Sequence, residues 1–202
     1  MFGLPWVMGF FHQDVYHDGP NPAAVVTYHL VEDLAPESVL LVRRDAQRLV
    51  EGLAATQIEA IWQECTDSVA AFFGQPGVED GTSWMRHLVV LCDAWLSRCA
   101  SRTELAQADL YDGSELASRV LAAVGEYQPY LASDAGDALS AAVTSCTPDL
   151  AFRLLLQALP RASRAPLYFT ITSDQHASLV ELAEAFDYGE YALSDLDAVI
   201  DK

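Results

Sequence analysis

Thr82-Ser83-Trp84-Met85-Arg86-His87-Leu88-Val89-Val90-Leu91-Cys92-Asp93-Ala94-Trp95 decides the fold class. Trp84, Leu88, Leu91 and Trp95 recur at i, i+4, i+7 and i+11, which places both indoles and both leucines on one face of an α-helix. Thr82 or Ser83 offers a hydroxyl to cap its start. Just upstream, Gly74-Gln75-Pro76-Gly77-Val78-Glu79-Asp80-Gly81 is a loop by composition.

The helical period continues on both sides. Asn21-Pro22 predicts a helix start, with Asn as cap and Pro where a missing N–H costs nothing, running to about Glu32. A helix from Pro36 carries Val39, Val42, Ala46, Leu49, Val50 and Leu53 on one stripe. Its other face holds Glu37, Arg43, Arg44, Asp45, Arg48 and Glu51. Thr56-Gln57-Ile58-Glu59 has the form of a capping box ahead of Ile58, Ile61, Trp62 and Cys65. After a polar junction from about Ser97 to Gly113, Ser114 heads Leu116, Val120, Leu121 and Val124. Ser133 heads Leu139 and Val143, and Thr147-Pro148-Asp149 opens Leu150, Leu154, Leu155 and Leu159. Ser173 opens Leu179, Val180, Leu182 and Phe186, and a last short turn runs from Ser194 through Ile200. Only Leu167-Tyr168-Phe169-Thr170-Ile171-Thr172 alternates like a strand; an extended segment or the head of a helix fits it equally. The expectation is a mainly α chain, a compact multi-helix bundle with at most one short strand or extended segment near 167–172. It divides into a helical part at 1–100 and an acidic helical extension or second subdomain at 101–202.

Composition narrows the function. The chain has 202 residues, 51% of them hydrophobic, enough to bury a core and to exclude global disorder. Eleven Lys and Arg stand against 29 Asp and Glu, a formal charge of −18. Such a chain does not hold a phosphate backbone or an anionic membrane surface by bulk electrostatics. It attracts something basic. No stretch reaches the roughly 20 apolar residues of a membrane span. The N-terminal run has no basic n-region, contains Pro5 and meets His12 and Asp14, which speaks against a signal peptide. Cys65, Cys92, Cys99 and Cys146 form no Cys-x-x-Cys and read as small apolar residues in a reducing compartment, pointing to the cytoplasm.

Glycine-rich phosphate loops, nucleophile elbows and paired-His zinc motifs are missing from the sequence. Their absence does not exclude an enzyme, but it removes every sharp enzyme hypothesis. One polar knot stands out: His12-Gln13-Asp14-Val15-Tyr16-His17-Asp18. His12, Asp14, His17 and Asp18 could ligate a metal in an enzyme, although a loop constrains their geometry little. The plainer role for these groups is to order the lead-in loop or face a partner. His29, His87 and His176 stand alone on helices, and Trp84 and Trp95 read as core. Trp6 and Phe10-Phe11 belong to a run that docks on the helices. His87 lies five residues before Cys92, on another face of the helix, so no Cys-His nucleophile is expected there. The densest charge lies in residues 165–202, where Asp174, Glu181, Glu184, Asp187, Glu190, Asp195, Asp197 and Asp201 face Lys202 alone. Such a field gives solubility or, more sharply, steers a cationic partner.

Gly9-Phe10-Phe11-His12-Gln13-Asp14-Val15-Tyr16, the Arg-bearing helix ending Leu49-Val50-Glu51-Gly52-Leu53, and Gly81-Thr82-Ser83-Trp84 together resemble contact-dependent growth inhibition immunity proteins. Many members of one such family open with Tyr-Phe-His-Gln-Asp, from which Phe10-Phe11-His12-Gln13-Asp14 departs only at the first aromatic. The likeness covers about residues 1–96. It implies a helical toxin inhibitor of bacterial competition that acts by occlusion on a cognate toxin domain, and that is expected not to be an enzyme and to take no cofactor. Where that toxin is a nuclease, it must be basic to hold phosphate. The candidate contacts are His12, Gln13, Asp14, Asp18, Glu184, Asp187, Glu190, Asp195 and Asp197. The alternative is an adaptor or chaperone that loads a toxin without silencing it.

Overall fold

The computed structural model describes residues 2–12, 17–67, 72–100, 111–162, 170–196 and 199–200, with backbone alone at 190–192. Their helices, in chain order, are α1 (Leu4–Met8), α2 (Pro22–His29), α3 (Pro36–Gly52), α4 (Ala55–Cys65), α5 (Gly81–Cys99), α6 (Ala117–Tyr127), α7 (Ser133–Ser145), α8 (Pro148–Ala162) and α9 (Ser173–Ala185). Short 3-10 turns cover Ser114–Leu116, Gln128–Tyr130 and Glu190–Leu196. The protein is mainly helical, a compact bundle with no sheet among the described residues. Pairing there is limited to isolated bridges, Gln75 with Val78 and Ile171 with Ile200. The alternating segment near 167–172 thus contributes one bridge at Ile171; residues 163–169 lie outside the described ones.

Helix starts follow local chemistry. Asn21 Oδ1 accepts from the Ala24 N–H at 2.9 Å, and Pro22 fills the first helical position. Thr147 Oγ1 accepts from Leu150 N–H at 3.1 Å. Two expected caps shift. α5 is capped by Asp80, whose Oδ1 accepts from Ser83 N–H at 2.7 Å while Ser83 Oγ accepts from Asp80 N–H at 2.9 Å. Ser83 therefore closes the box rather than opening it. α4 starts at Ala55, ahead of the expected Thr56 cap, because Gln57 Oε1 accepts the Ala54 N–H at 3.0 Å. α9 begins at Ser173, as read, and is capped by Thr172 through a reciprocal pair with Gln175.

α3 and α5 pack closely along their length. Val39, Val42, Ala46 and Leu49 on one, and Trp84, Leu88, Cys92 and Trp95 on the other, are buried. α8 is the central helix: it touches α1, α4, α6 and α7, and its residues 148–159 are all buried. A helix buried on every side must be surrounded by others and must pair its polar groups, here Asp149, Arg153 and Gln157, inside the protein. The buried apolar side chains form one contiguous cluster running from Leu4 to Val199.

Among the described residues no helix is long and apolar enough to cross a membrane. Cys65 and Cys92 are buried, Cys99 and Cys146 half-buried, and all four are free thiols. Burial pushes the Cys92 thiol up to about 12 and the Cys146 thiol to about 11, away from the reactive thiolate.

Glu64 is half-buried on α4, which packs against α7. Burial raises its carboxyl above the ordinary glutamate value; a backbone bond at Ala132 opposes this and Asp134 adds repulsion. A carboxyl raised on folding contributes stability below its unfolded value that is lost as pH climbs through the folded one. Glu64→Gln is therefore expected to be neutral at about pH 3, where the carboxyl carries its proton. At pH 7 it should gain a few tenths of a kcal/mol, a small figure because solvent still screens the group. Urea unfolding at both pH values checks this; an equal effect at the two would contradict it.

Candidate functional site

Leu150-Ala151-Phe152-Arg153-Leu154-Leu155-Leu156 places a single cation in the most deeply buried turn of α8. Arg153 is fully buried. A guanidinium cannot be deprotonated to escape that position, so it must be paired. Nη1 and Nη2 donate to Oδ2 and Oδ1 of Asp45 at 2.6 and 2.8 Å, a two-pronged contact. Nε and Nη2 donate to Oδ2 of Asp149 at 3.2 and 2.6 Å. Nη1 also donates to the Phe2 carbonyl at 3.4 Å. All five donors are used. Burial works against the charge, but the flanking Asp45 and Asp149 carboxylates outweigh it and hold the guanidinium well above its ordinary value.

The two carboxylates recruit further segments. Asp45 Oδ2 accepts the Leu4 N–H at 2.9 Å, which fixes the start of α1. Asp149 Oδ1 accepts the Tyr188 hydroxyl at 2.7 Å. Burial, with Asp149 next to it, pushes that hydroxyl well above a normal tyrosine. Arg44 Nη2 stands 3.6 Å from Asp149 Oδ2. One buried cation thus ties the N-terminal segment, α3, α8 and the turn after α9. Asp45, read from the sequence as part of the charged outer face of α3, points inward because Arg153 awaits it. A lone cation inside an apolar run, with an acid four residues before it, was the sequence signal for this network.

Above the network lies a cleft of about 370 Å³. Phe2, Arg44, Tyr111 and Asp149 line it, together with Glu37, Ser38, Leu40 and Leu41 of α3 and with Phe186, Asp187 and Tyr188. Its aromatic wall is continuous: Phe186 and Tyr188 stack at 5.3 Å, Phe2 meets Tyr188 edge-on at 4.9 Å, and Tyr111 meets Phe186 at 6.3 Å. Gly113, at φ +70, holds the Tyr111 segment close: a Cβ there would come within 2.2 Å of the Phe186 ring. Glu37 and Asp187 are exposed at the rim. Nothing in the sequence groups these residues, which come from five separate stretches of chain.

The residues expected to contact a partner are dispersed. Gln13, Asp14 and Asp197 lie outside the described residues. His12 is half-buried. Asp18 is half-buried and its Oδ2 lies 3.0 Å from His29 Nε2, while the His29 ring stacks on Phe10 at 3.9 Å. Glu184, Asp187 and Asp195 are exposed on C-terminal elements that pack on α6 and α8; Glu190 begins the last 3-10 turn. Asp18 therefore stands beside α2, whereas Glu184, Asp187 and Asp195 stand on elements packed against α6 and α8. Among the described candidates, only Asp187 lines the cleft. Among the described residues no three His, Cys, Asp or Glu side chains converge as a metal would require. No family model, curated protein or solved structure matches the chain, so what the cleft and the acidic surface do is argued from their own residues.

Proposed function

We propose that this chain is an immunity protein of the contact-dependent growth inhibition kind, which binds a basic toxin domain and neutralises it by occlusion, without turnover. One observation carries the reading: Asp174, Glu181, Glu184, Asp187 and Asp195 are all exposed on the C-terminal elements, and no Lys or Arg lies between residues 165 and 201 to offset them. An uncompensated field of this sign speeds the encounter with a cationic protein by tenfold or more. The opening Phe10-Phe11-His12-Gln13-Asp14 supports the family assignment.

The test is co-expression with the toxin domain encoded next to this chain, together with association kinetics on the purified pair. Cells should survive the toxin. The association rate should fall by about tenfold or more as monovalent salt rises from roughly 30 to 300 mM, because the Debye length shrinks about threefold. Binding without protection would favour an adaptor that loads the toxin. A rate indifferent to salt would remove the electrostatic mechanism.

A further inference from the structure

We infer that the cleft above Arg153 receives an arginine side chain presented by a protein partner. The inference rests on the reading of a basic partner and names its anchor point. Charge supplies the first argument. At and beneath the cleft, Glu37, Asp45, Asp149 and Asp187 stand against Arg44 and Arg153, a balance of −2. Asp45 and Asp149 are already engaged by Arg153, Leu4 and Tyr188. Arg44 is drawn to within 3.6 Å of Asp149. The carboxylates an incoming group meets are Glu37 and Asp187, both exposed and both lining the cleft.

Shape supplies the second. Phe186 is buried and stacks on Phe152 and Tyr188, so the exposed Tyr111 and the half-buried Phe2 and Tyr188 present the accessible aromatic ring surface to a flat cation. Guanidinium stacks on such faces and forks onto a carboxylate, whereas an ammonium makes only a point contact. A volume of about 370 Å³ suits one long side chain. Aromatic-lined pockets that desolvate an inserted arginine are where protein interfaces concentrate their binding energy.

The probe is N-acetyl-arginine amide, titrated into the full-length, isotope-labelled protein and followed by amide chemical shifts, with N-acetyl-citrulline amide as its neutral twin. Saturable shifts are expected at Ser38, Tyr111 and Phe186 to Tyr188, with citrulline at least about fivefold weaker. Glu37→Gln and Asp187→Asn should each weaken binding by about 2–5-fold, the range of an exposed ion pair. Asp187 sits at φ +57, a conformation that Asn adopts readily, so the second variant removes charge and keeps the turn. Unchanged melting temperatures confirm that both variants fold. Shifts that avoid the cleft, or an equal response to citrulline, overturn the inference. A silent cleft in a chain that still protects against its toxin removes the arginine anchor alone. A responsive cleft in a chain that protects against none removes the inhibitor reading alone.

Discussion

Arg153→Met is expected to lower the folding free energy by about 3–5 kcal/mol, the cost of leaving a buried carboxylate without its counter-charge. Here two carboxylates are left, Asp45 and Asp149, both buried. The loss corresponds to a fall in melting temperature of roughly 6–20 °C for a chain of this size. Methionine fills much of the volume, so the effect is one of charge rather than cavity. Arg153→Lys should recover part of it at most, because an ammonium cannot fork onto Asp45 while also reaching Asp149. A double variant separates charge from packing. Asp45→Asn keeps an oxygen for the Leu4 N–H, so Asp45→Asn with Arg153→Met should be less destabilised than the two single losses added together. Chemical denaturation of the four proteins gives the cycle. An Arg153→Met protein within about 1 kcal/mol of the parent would mean that the guanidinium is not enclosed between its acids.

The network matters for function because its outer members form the cleft. Tyr188 holds its place through Asp149, and Phe2 through its carbonyl on Arg153 and its ring 5.3 Å from the guanidinium carbon. Loosening Arg153 therefore loosens two walls of the candidate anchor site at once. The rim carboxylates Glu37 and Asp187 take no part in the network, so their charge can be removed with the scaffold intact.

Which parts of this were legible in the sequence follows from the range of the forces involved. The Trp84, Leu88, Trp95 stripe, the Asn21-Pro22 start and the Thr147-Pro148 start are local, and all appear as read. Caps at Asp80 and Ala54 lie two or three residues ahead of the expected ones, because several polar side chains near a helix start compete for the same orphan N–H groups. Asp45 was misassigned for a different reason. Between Arg44 and Arg48 it has the pattern of a solvated face, and only the passage of α8 beneath α3 turns it inward. The cleft was invisible for the same reason at larger scale, since residues 2, 37–44, 111, 149 and 186–188 meet only through tertiary packing. The acidic tail was legible as composition, and its exposure at Glu184, Asp187 and Asp195 agrees with that reading.

Gly3→Ala carries the second large effect, and its origin is the same ion pair. Gly3 adopts φ 65 and ψ −146, a region open to glycine and closed to L-residues with a Cβ. A Cβ at this point would also stand 2.2 Å from Arg153 Nη1 and 2.3 Å from Asp45 Oδ2, so it would press on one of the two shortest bonds of the network. Backbone strain of about 1–3 kcal/mol adds to a steric displacement of similar size. The expected loss is about 2–5 kcal/mol, where Gly→Ala at a relaxed site would gain a few tenths. The chain has two ways to respond, and hydrogen exchange distinguishes them. If the Leu4 N–H, now 2.9 Å from Asp45, loses protection while Arg153 stays paired, then α1 peels away and the network survives. If protection is kept and the melting temperature falls, the pair itself has yielded. Both outcomes require the crowding seen at Gly3, and a variant as stable as the parent would show that the N-terminal segment does not lie against Arg153. Glycine here is the consequence of burying a guanidinium under a chain that must pass within van der Waals reach of it.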